Sequence, residues 1–299
     1  MNAQNNKLTY YVLDVFSETR YQGNPLSVVC INEDLTLQEY KNISREFGYS
    51  ETSFIYYAPD EGGLKVRSFT PTGFEVNGAG HNLLGAVYLA VIKGWDIFSG
   101  QKNEQYVFMK DEAMPVVIKY SPDNVLSVNL LQQPATILKT VPVDAIAEAI
   151  GLQTGDLLLN NWEPTVVKTE VTHLMIPVKN IDSLNKAVSN KALLSKLSKA
   201  YGFEGCYIFT LPYDGSPYIA QSRFFNPGIG IDEDAATGSA AGPLAGFLFD
   251  KGHIQPDTDY AILQGVKMEQ PSTIRFRVTD EGIWISGSAV IVMEGALYL

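Results

Sequence analysis

Apolar and polar positions along the chain alternate between strand-like and helix-like spacing. Tyr10 to Phe16 and Leu26 to Ile31 are apolar, β-rich runs, and Gly23-Asn24-Pro25 between them is turn chemistry. Thr36 to Phe47 predicts a helix: Thr36 can cap, Glu39 completes a capping box, and Leu37, Tyr40, Ile43 and Phe47 fall on one stripe. Gly48 ends it. Strands follow at Ser53–Tyr57 and Leu64–Phe69, and a second helix is expected from Gly80 to Lys93. The stretch Ser121-Pro122-Asp123-Asn124 reads as a seam.

The pattern repeats. Arg67-Ser-Phe69-Thr-Pro71 leads to Gly80, and Lys93-Gly94 follows with Gly94 fourteen residues on. Arg223-Phe-Phe225-Asn-Pro227 leads to Gly238, and Lys251-Gly252 follows at the same spacing. Upstream, the helix ending at Gly48 corresponds to a helix Lys191–Tyr201 ending at Gly202, each followed by a β-rich run. A period near 155 residues means duplicated domains rather than a solenoid. The expected division is 1–124 and 125–299, with the last strand, from Ala289, returning to the first domain. In each copy the helix after the loop is rich in glycine and alanine and almost uncharged. Such a helix is buried all round, with strands wrapped closely about it. Pro243 is placed near the first turn of the second, where its missing N–H matters least.

Composition narrows the class. The 299 residues suit two domains, and 45% hydrophobic with 18% charged residues argue for a globular protein with sizeable cores. Thirty-three acids against 22 bases give a net charge of −11, the wrong sign for sequence-independent nucleic-acid binding. No apolar run approaches a membrane span, and Met1 to Thr9 lacks a signal-peptide core. Cys30 and Cys206 write no disulfide framework. A cytoplasmic protein is expected.

A buried helix must still satisfy its first N–H groups, and its N-terminus carries partial positive charge. Two such starts form an anion site suited to a carboxylate. The polar residues nearest them are His81 and Asn82 in one copy and Asp234, Thr237 and Ser239 in the other; helix capping is the plainer role for each. Glu51 lies three residues after Gly48, and its repeat counterpart is Gly205, so the duplication carries one carboxylate where symmetry would place two. Ser50, Thr52 and Ser53 around it fit a pocket edge as readily as a turn. His81, His173 and His253 lack a ligand spacing, so zinc is not expected. His173 reads as structural or pocket wall, and His253 as a cation at a helix C-terminus. Cys206 reads as a small buried hydrophobe. Gly228-Ile-Gly230 lacks the rest of a dinucleotide fingerprint, and no lysine-serine phosphate loop is present. No cofactor is called for.

These residues resemble the phenazine-biosynthesis isomerase (PhzF-like) family, built on the diaminopimelate epimerase fold, and the resemblance spans essentially the whole chain. Its marks are Asp14-Val-Phe16 with Gly23-Asn24-Pro25, Ser50-Glu51-Thr52, Arg67-Ser-Phe69-Thr-Pro71 with Ala79-Gly80-His81, and Gly230-Ile-Asp-Glu-Asp234-Ala-Ala-Thr237-Gly238-Ser239-Ala240. Asn82 and Ala235 stand where the family usually has proline. The resemblance implies an α+β fold of two half-barrel domains, each a curved sheet rolled around a central helix, with the active site between them. It implies Glu51 as the proton-shuttling acid and His81, Asp234 and Ser239 as the other catalytic residues. Asn24, Gly80, Asn82, Thr237, Gly238 and Ala240 would bind substrate. Epimerase relatives use two cysteines as a base pair; those positions are Ala79 and Thr237 here, so a two-thiol racemase is not expected.

The leading reading is therefore a cofactor-independent isomerase that moves a proton on a small carboxylate substrate by general acid/base catalysis. Two alternatives stand beside it. One is a non-catalytic small-acid binding protein that retains the fold. The other is a serine hydrolase using Ser239, His81 and Asp234, although Thr237-Gly238-Ser239-Ala240-Ala241 is not the usual nucleophile elbow. Family members are often homodimers; composition does not decide the oligomeric state.

Overall fold

The structure, a computed structural model, describes residues 7–58, 63–76, 78–95, 106–110, 112–157, 159–212 and 214–299. The chain divides into two compact units, Met1–Leu130 with Gly287–Leu299, and Leu131–Ser286. The division falls beyond Ser121–Asn124, and the reason is local. Those residues are a tight hairpin turn, with Asn124 at φ 61° and its N–H donated to the Ser121 carbonyl.

The first unit contains β1 (Lys7–Val15), β2 (Asn24–Cys30), α1 (Leu37–Phe47), β3 (Thr52–Ala58), β4 (Gly63–Phe69) and β5 (Glu75–Val76). It continues through α2 (His81–Ile92), β6 (Tyr106–Met109), β7 (Glu112–Tyr120) and β8 (Leu126–Gln132). The second unit runs from β9 (Thr136–Thr140) through α3 (Val143–Ala149), β10 (Thr165–Lys168), β11 (Thr172–Pro177), α4 (Ile181–Lys186) and α5 (Lys191–Tyr201). It then adds β12 (Gly205–Thr210), β13 (Ala220–Asn226), β14 (Ile231–Asp234), α6 (Gly238–Asp250), β15 (Tyr260–Gln264), β16 (Ser272–Thr279) and β17 (Gly282–Gly287). The last strand, β18 (Ala289–Tyr298), pairs antiparallel with β1.

Each sheet mixes the same pairings in the same order. In the first unit β1–β2 is antiparallel, β2–β3 parallel, β3–β4 and β4–β5 antiparallel, β4–β6 parallel and β6–β7 antiparallel. In the second, β10–β11, β11–β12, β12–β13, β13–β14, β13–β15 and β15–β16 repeat that series of senses. The registers agree as well: Thr52 faces Phe69, and Cys206 faces Phe225.

The helices obey the local rules. In α1, Thr36 and Glu39 form the expected capping box and Gly48 closes the helix at φ 69°. Its buried face is Tyr40 and Ser44, whereas Leu37 is exposed, since it precedes the turn that meets the sheet. The central helices have no polar face. In α2 nine of twelve residues are buried, and it packs on β1 to β4 and β18. In α6 ten of thirteen are buried, against β9, β10, β11 and β16. Close approach explains the small residues: a Cβ on Gly85 would meet Leu26 and Val15, and one on Gly246 would meet Ala135. Pro243 departs from expectation. It is the sixth residue of α6, past the first turn, so it removes the bond that the Ser239 carbonyl would otherwise accept.

Candidate functional site

In the first unit, β3 begins immediately after Glu51 and α2 begins at His81, so a strand mouth and a helix start bring these two together. Glu51 Oε2 lies 3.9 Å from His81 Nδ1, with the two side chains 13% and 6% exposed. On the other side of the imidazole, Ser50 Oγ is 3.4 Å from Nε2. Burial pushes the His81 pKa down to about 4. At neutral pH the imidazole is therefore uncharged, and its contact with Glu51 is not an ion pair.

The loop before α2 is tied by Asn82. Its Oδ1 accepts the N–H groups of Gly80 and Leu83, both at 2.8 Å, and its Nδ2 donates to the Gly78 carbonyl. The Asn82 side chain is thus engaged in holding the loop, and the Gly80 N–H is engaged with it. Both were expected to bind substrate. Among the described residues no acceptor takes the N–H of His81 or Asn82, and these are the donors that α2 presents. Asn24, at the head of β2, is buried beside the Asp14 turn, where the Tyr21 N–H donates to Asp14 Oδ2.

In the second unit, Asp234 ends β14 and Thr237 precedes α6. Thr237 Oγ1 donates to Asp234 Oδ2 at 2.6 Å. Gln264 then binds both: its Nε2 donates to the Asp234 carbonyl and to Thr237 Oγ1, and its Oε1 accepts the Thr237 N–H. Tyr207 donates its hydroxyl hydrogen to the same Oε1. Sequence reasoning missed Gln264 and Tyr207; the only trace of the former is a polar residue ending the apolar run Tyr260-Ala-Ile-Leu263. The Ala240 N–H, expected to hold a carboxylate, bonds to the Thr237 carbonyl at 3.1 Å. Gly238 and Ser239 keep the expected place in the first turn, with Ser239 half-buried.

The remaining candidates lie apart from this chemistry. His173 is buried, its Nδ1 accepts the Gly205 N–H at 3.2 Å, and burial takes its pKa down to about 4. His253 packs edge-on to Trp162, and burial lowers its pKa, which works against the cationic form its place after the helix would favour. Burial also raises the thiols, Cys30 to about 11 and Cys206 beyond that, which removes both as thiolate bases at neutral pH. Among the described residues no group of three His, Cys, Asp or Glu side chains could hold a metal ion, and no helix is long and apolar enough to cross a membrane.

The mixed sheets, the buried central helices and the named activities of relatives define an isomerase of the epimerase-type α+β fold. The chain belongs to the phenazine biosynthesis-like family, whose model matches residues 13–295. An uncharacterized isomerase of Clostridium acetobutylicum is 31% identical, over 98% of this chain and 99% of that protein. The trans-2,3-dihydro-3-hydroxyanthranilate isomerase of Pseudomonas aeruginosa is 28% identical, over 97% and 99%. Among solved structures, a Bacillus anthracis phenazine biosynthesis protein of the PhzF family matches with a TM-score of 0.84 at 22% identity, over 98% of this chain and 99% of that one.

Proposed function

We propose that the protein is a cofactor-independent isomerase in which Glu51 carries one proton between two carbons of a small carboxylate substrate. The observation that carries this reading is the placement of Glu51 against a neutral, buried His81, in a chain whose repeat offers Gly205 at the corresponding position. A carboxylate that removes a proton leaves an electron pair on carbon. That pair shifts through an adjacent double bond as the proton is returned to the far carbon, so atoms and charge balance without a co-reactant. One base acting on one face suits such a 1,3-type shift better than inversion of a stereocentre, which calls for bases on opposite faces.

Neutral His81 holds a substrate hydroxyl or amine by hydrogen bonding, and Asp234 takes a donor of the same kind. Ser239 and the N–H groups at the starts of α2 and α6 hold the carboxylate and steady an enolate-like intermediate. The activity named for the Pseudomonas aeruginosa relative makes trans-2,3-dihydro-3-hydroxyanthranilate the substrate to test first. Incubation in heavy water, followed by proton NMR, is expected to show isomerisation, with solvent deuterium entering a carbon of the product to the extent that the Glu51 carboxyl exchanges its proton before returning it. Binding without conversion of this acid and of a panel of cyclic and linear amino and hydroxy acids would overturn the reading in favour of a binding protein.

A further inference from the structure

Gln264 is fully buried, and all four of its amide hydrogen-bonding positions are taken. Two partners are backbone groups of fixed polarity: Nε2 faces the Asp234 carbonyl at 2.8 Å, and Oε1 faces the Thr237 N–H at 3.1 Å. Those two bonds decide which end of the amide is oxygen. With the amide so fixed, Nε2 donates to Thr237 Oγ1 at 3.0 Å, and that hydroxyl must direct its own hydrogen to Asp234 Oδ2. Tyr207 supplies the remaining hydrogen, to Oε1 at 2.8 Å. The side-chain donors from Tyr207 through Gln264 and Thr237 thus run one way and end on Asp234 Oδ2, while the Thr237 N–H and the Asp234 carbonyl anchor the amide from the backbone. The following residue, Gly265, allows the close approach: it has φ 78°, and a Cβ there would lie 2.6 Å from the Ala235 carbonyl oxygen.

The repeat shows that this is not simply how the fold is built. Val66 pairs with Met109 in the first unit where Ser222 pairs with Gln264 in the second, so the counterpart of Gln264 is a thioether. The amide clamp occurs in the unit whose helix-start loop bears a carboxylate. We propose that Gln264 is a positioning residue of the reaction. It acts through Thr237 and Asp234, keeping Oδ2 as a hydrogen-bond acceptor and fixing the angle at which the carboxylate and the first turn of α6 meet substrate. This rests on the reading that Asp234 serves the isomerisation.

The test compares wild type, Gln264→Met and Tyr207→Phe on trans-2,3-dihydro-3-hydroxyanthranilate, with thermal melting as a check on folding. Misplacing a reacting group by about 1 Å can remove ~10²-fold in rate. Gln264→Met is expected to lower kcat by ~10–100-fold with KM within about threefold of wild type. Tyr207→Phe, which leaves Asp234 and Thr237 intact, is expected to lower kcat about two- to fivefold. A folded Gln264→Met protein with wild-type kcat overturns the proposal; if that variant does not fold, wild-type kcat in Tyr207→Phe does so. If wild type itself does not convert the compound, the functional reading fails separately, and crystal structures of the two variants decide the positioning. Loss of the Thr237–Asp234 contact in either variant supports it, and retention in both overturns it.

Discussion

The ring of Phe224 occupies the space that a side chain on Gly205 would need: a Cβ at Gly205 would collide with Phe224 Cζ. By the repeat, Gly205 corresponds to Glu51 and Phe224 to Ser68, so the two units differ by a complementary pair. By position in the repeat, a glutamate and a serine in the first unit stand where the second has a glycine and a phenylalanine, and only in the second does the ring fill the glycine's side-chain space. The asymmetry between Glu51 and Gly205 is thus matched by packing. Gly205→Ala should destabilise the protein by ~1–3 kcal/mol, as overpacking of a filled core does. Adding Phe224→Leu should recover part of that loss. Urea denaturation of the single and double variants checks this, and a neutral single variant would contradict it.

The carboxylate that the packing does admit should be indispensable. General acid/base groups contribute ~10²–10⁴-fold, so Glu51→Gln should remove at least the lower figure from kcat with substrate affinity nearly unchanged. On the proposed mechanism, in which those groups position the substrate, His81→Ala and Ser239→Ala should instead raise KM and lower kcat together. Steady-state kinetics on the first substrate turned over, with a binding titration on Glu51→Gln, distinguishes the two patterns.

Much of this was legible in the sequence, and the reasons differ by residue. The Thr36–Glu39 capping box and the closing Gly48 and Gly202 are local signals, so α1 and α5 could be placed to within a residue. The repeat spacing located both buried helices because glycine and alanine at close contacts admit few substitutes. Helix α4 was not foreseen: six residues, capped by Asn180, are too few for a periodic stripe to show. At the candidate site, residue types pointed to Glu51, His81 and Asp234 as the groups to examine. Which N–H groups are already engaged could not be read, since that depends on Asn82 turning back onto its own loop. Gln264 was invisible for a related reason, because its partners, Tyr207 and the Asp234–Thr237 loop, lie far from it along the chain.

Two buried histidines make stability depend on pH. His81 and His173 both have folded pKa values pushed down to about 4 by burial, against an ordinary value of 6.5. The unfolded chain therefore binds protons at these sites that the native state refuses. Their contribution is fully present above pH 6.5 and is lost as pH falls toward 4. Burial raises the Asp14 and Glu204 carboxyls, which works in the opposite sense at the acid end. A variant comparison cancels those groups. His173→Leu should lose less stability than wild type between pH 7 and pH 5, measured by urea unfolding at each pH. Parallel curves would show that His173 does not contribute.

Arg67 and Arg223 occupy the same place in the repeat, and each makes a paired contact with a glutamate, Glu75 and Glu233. What lies at Nη1 differs. Arg67 meets the exposed carboxylate of Asp34, whereas Arg223 donates to the carbonyls of Leu184 and Ala187 at the end of α4, at 2.9 and 2.7 Å. The side chain of Arg67 is 29% exposed and that of Arg223 only 8%. Removing Arg223 would leave a glutamate and several carbonyls in a site that water does not reach freely. Removing Arg67 leaves its acids with access to solvent. Arg223→Ala should therefore cost about 3–5 kcal/mol, the range for breaking a buried pair. Arg67→Ala should cost nearer ~1 kcal/mol, as a partly exposed pair does. Added salt should narrow the gap between wild type and Arg67→Ala while leaving the Arg223 deficit largely unchanged, because screening acts on exposed charge. Thermal melts at two ionic strengths measure both. Equal losses in the two variants would mean that α4 adds nothing to the role this arginine plays in the second unit.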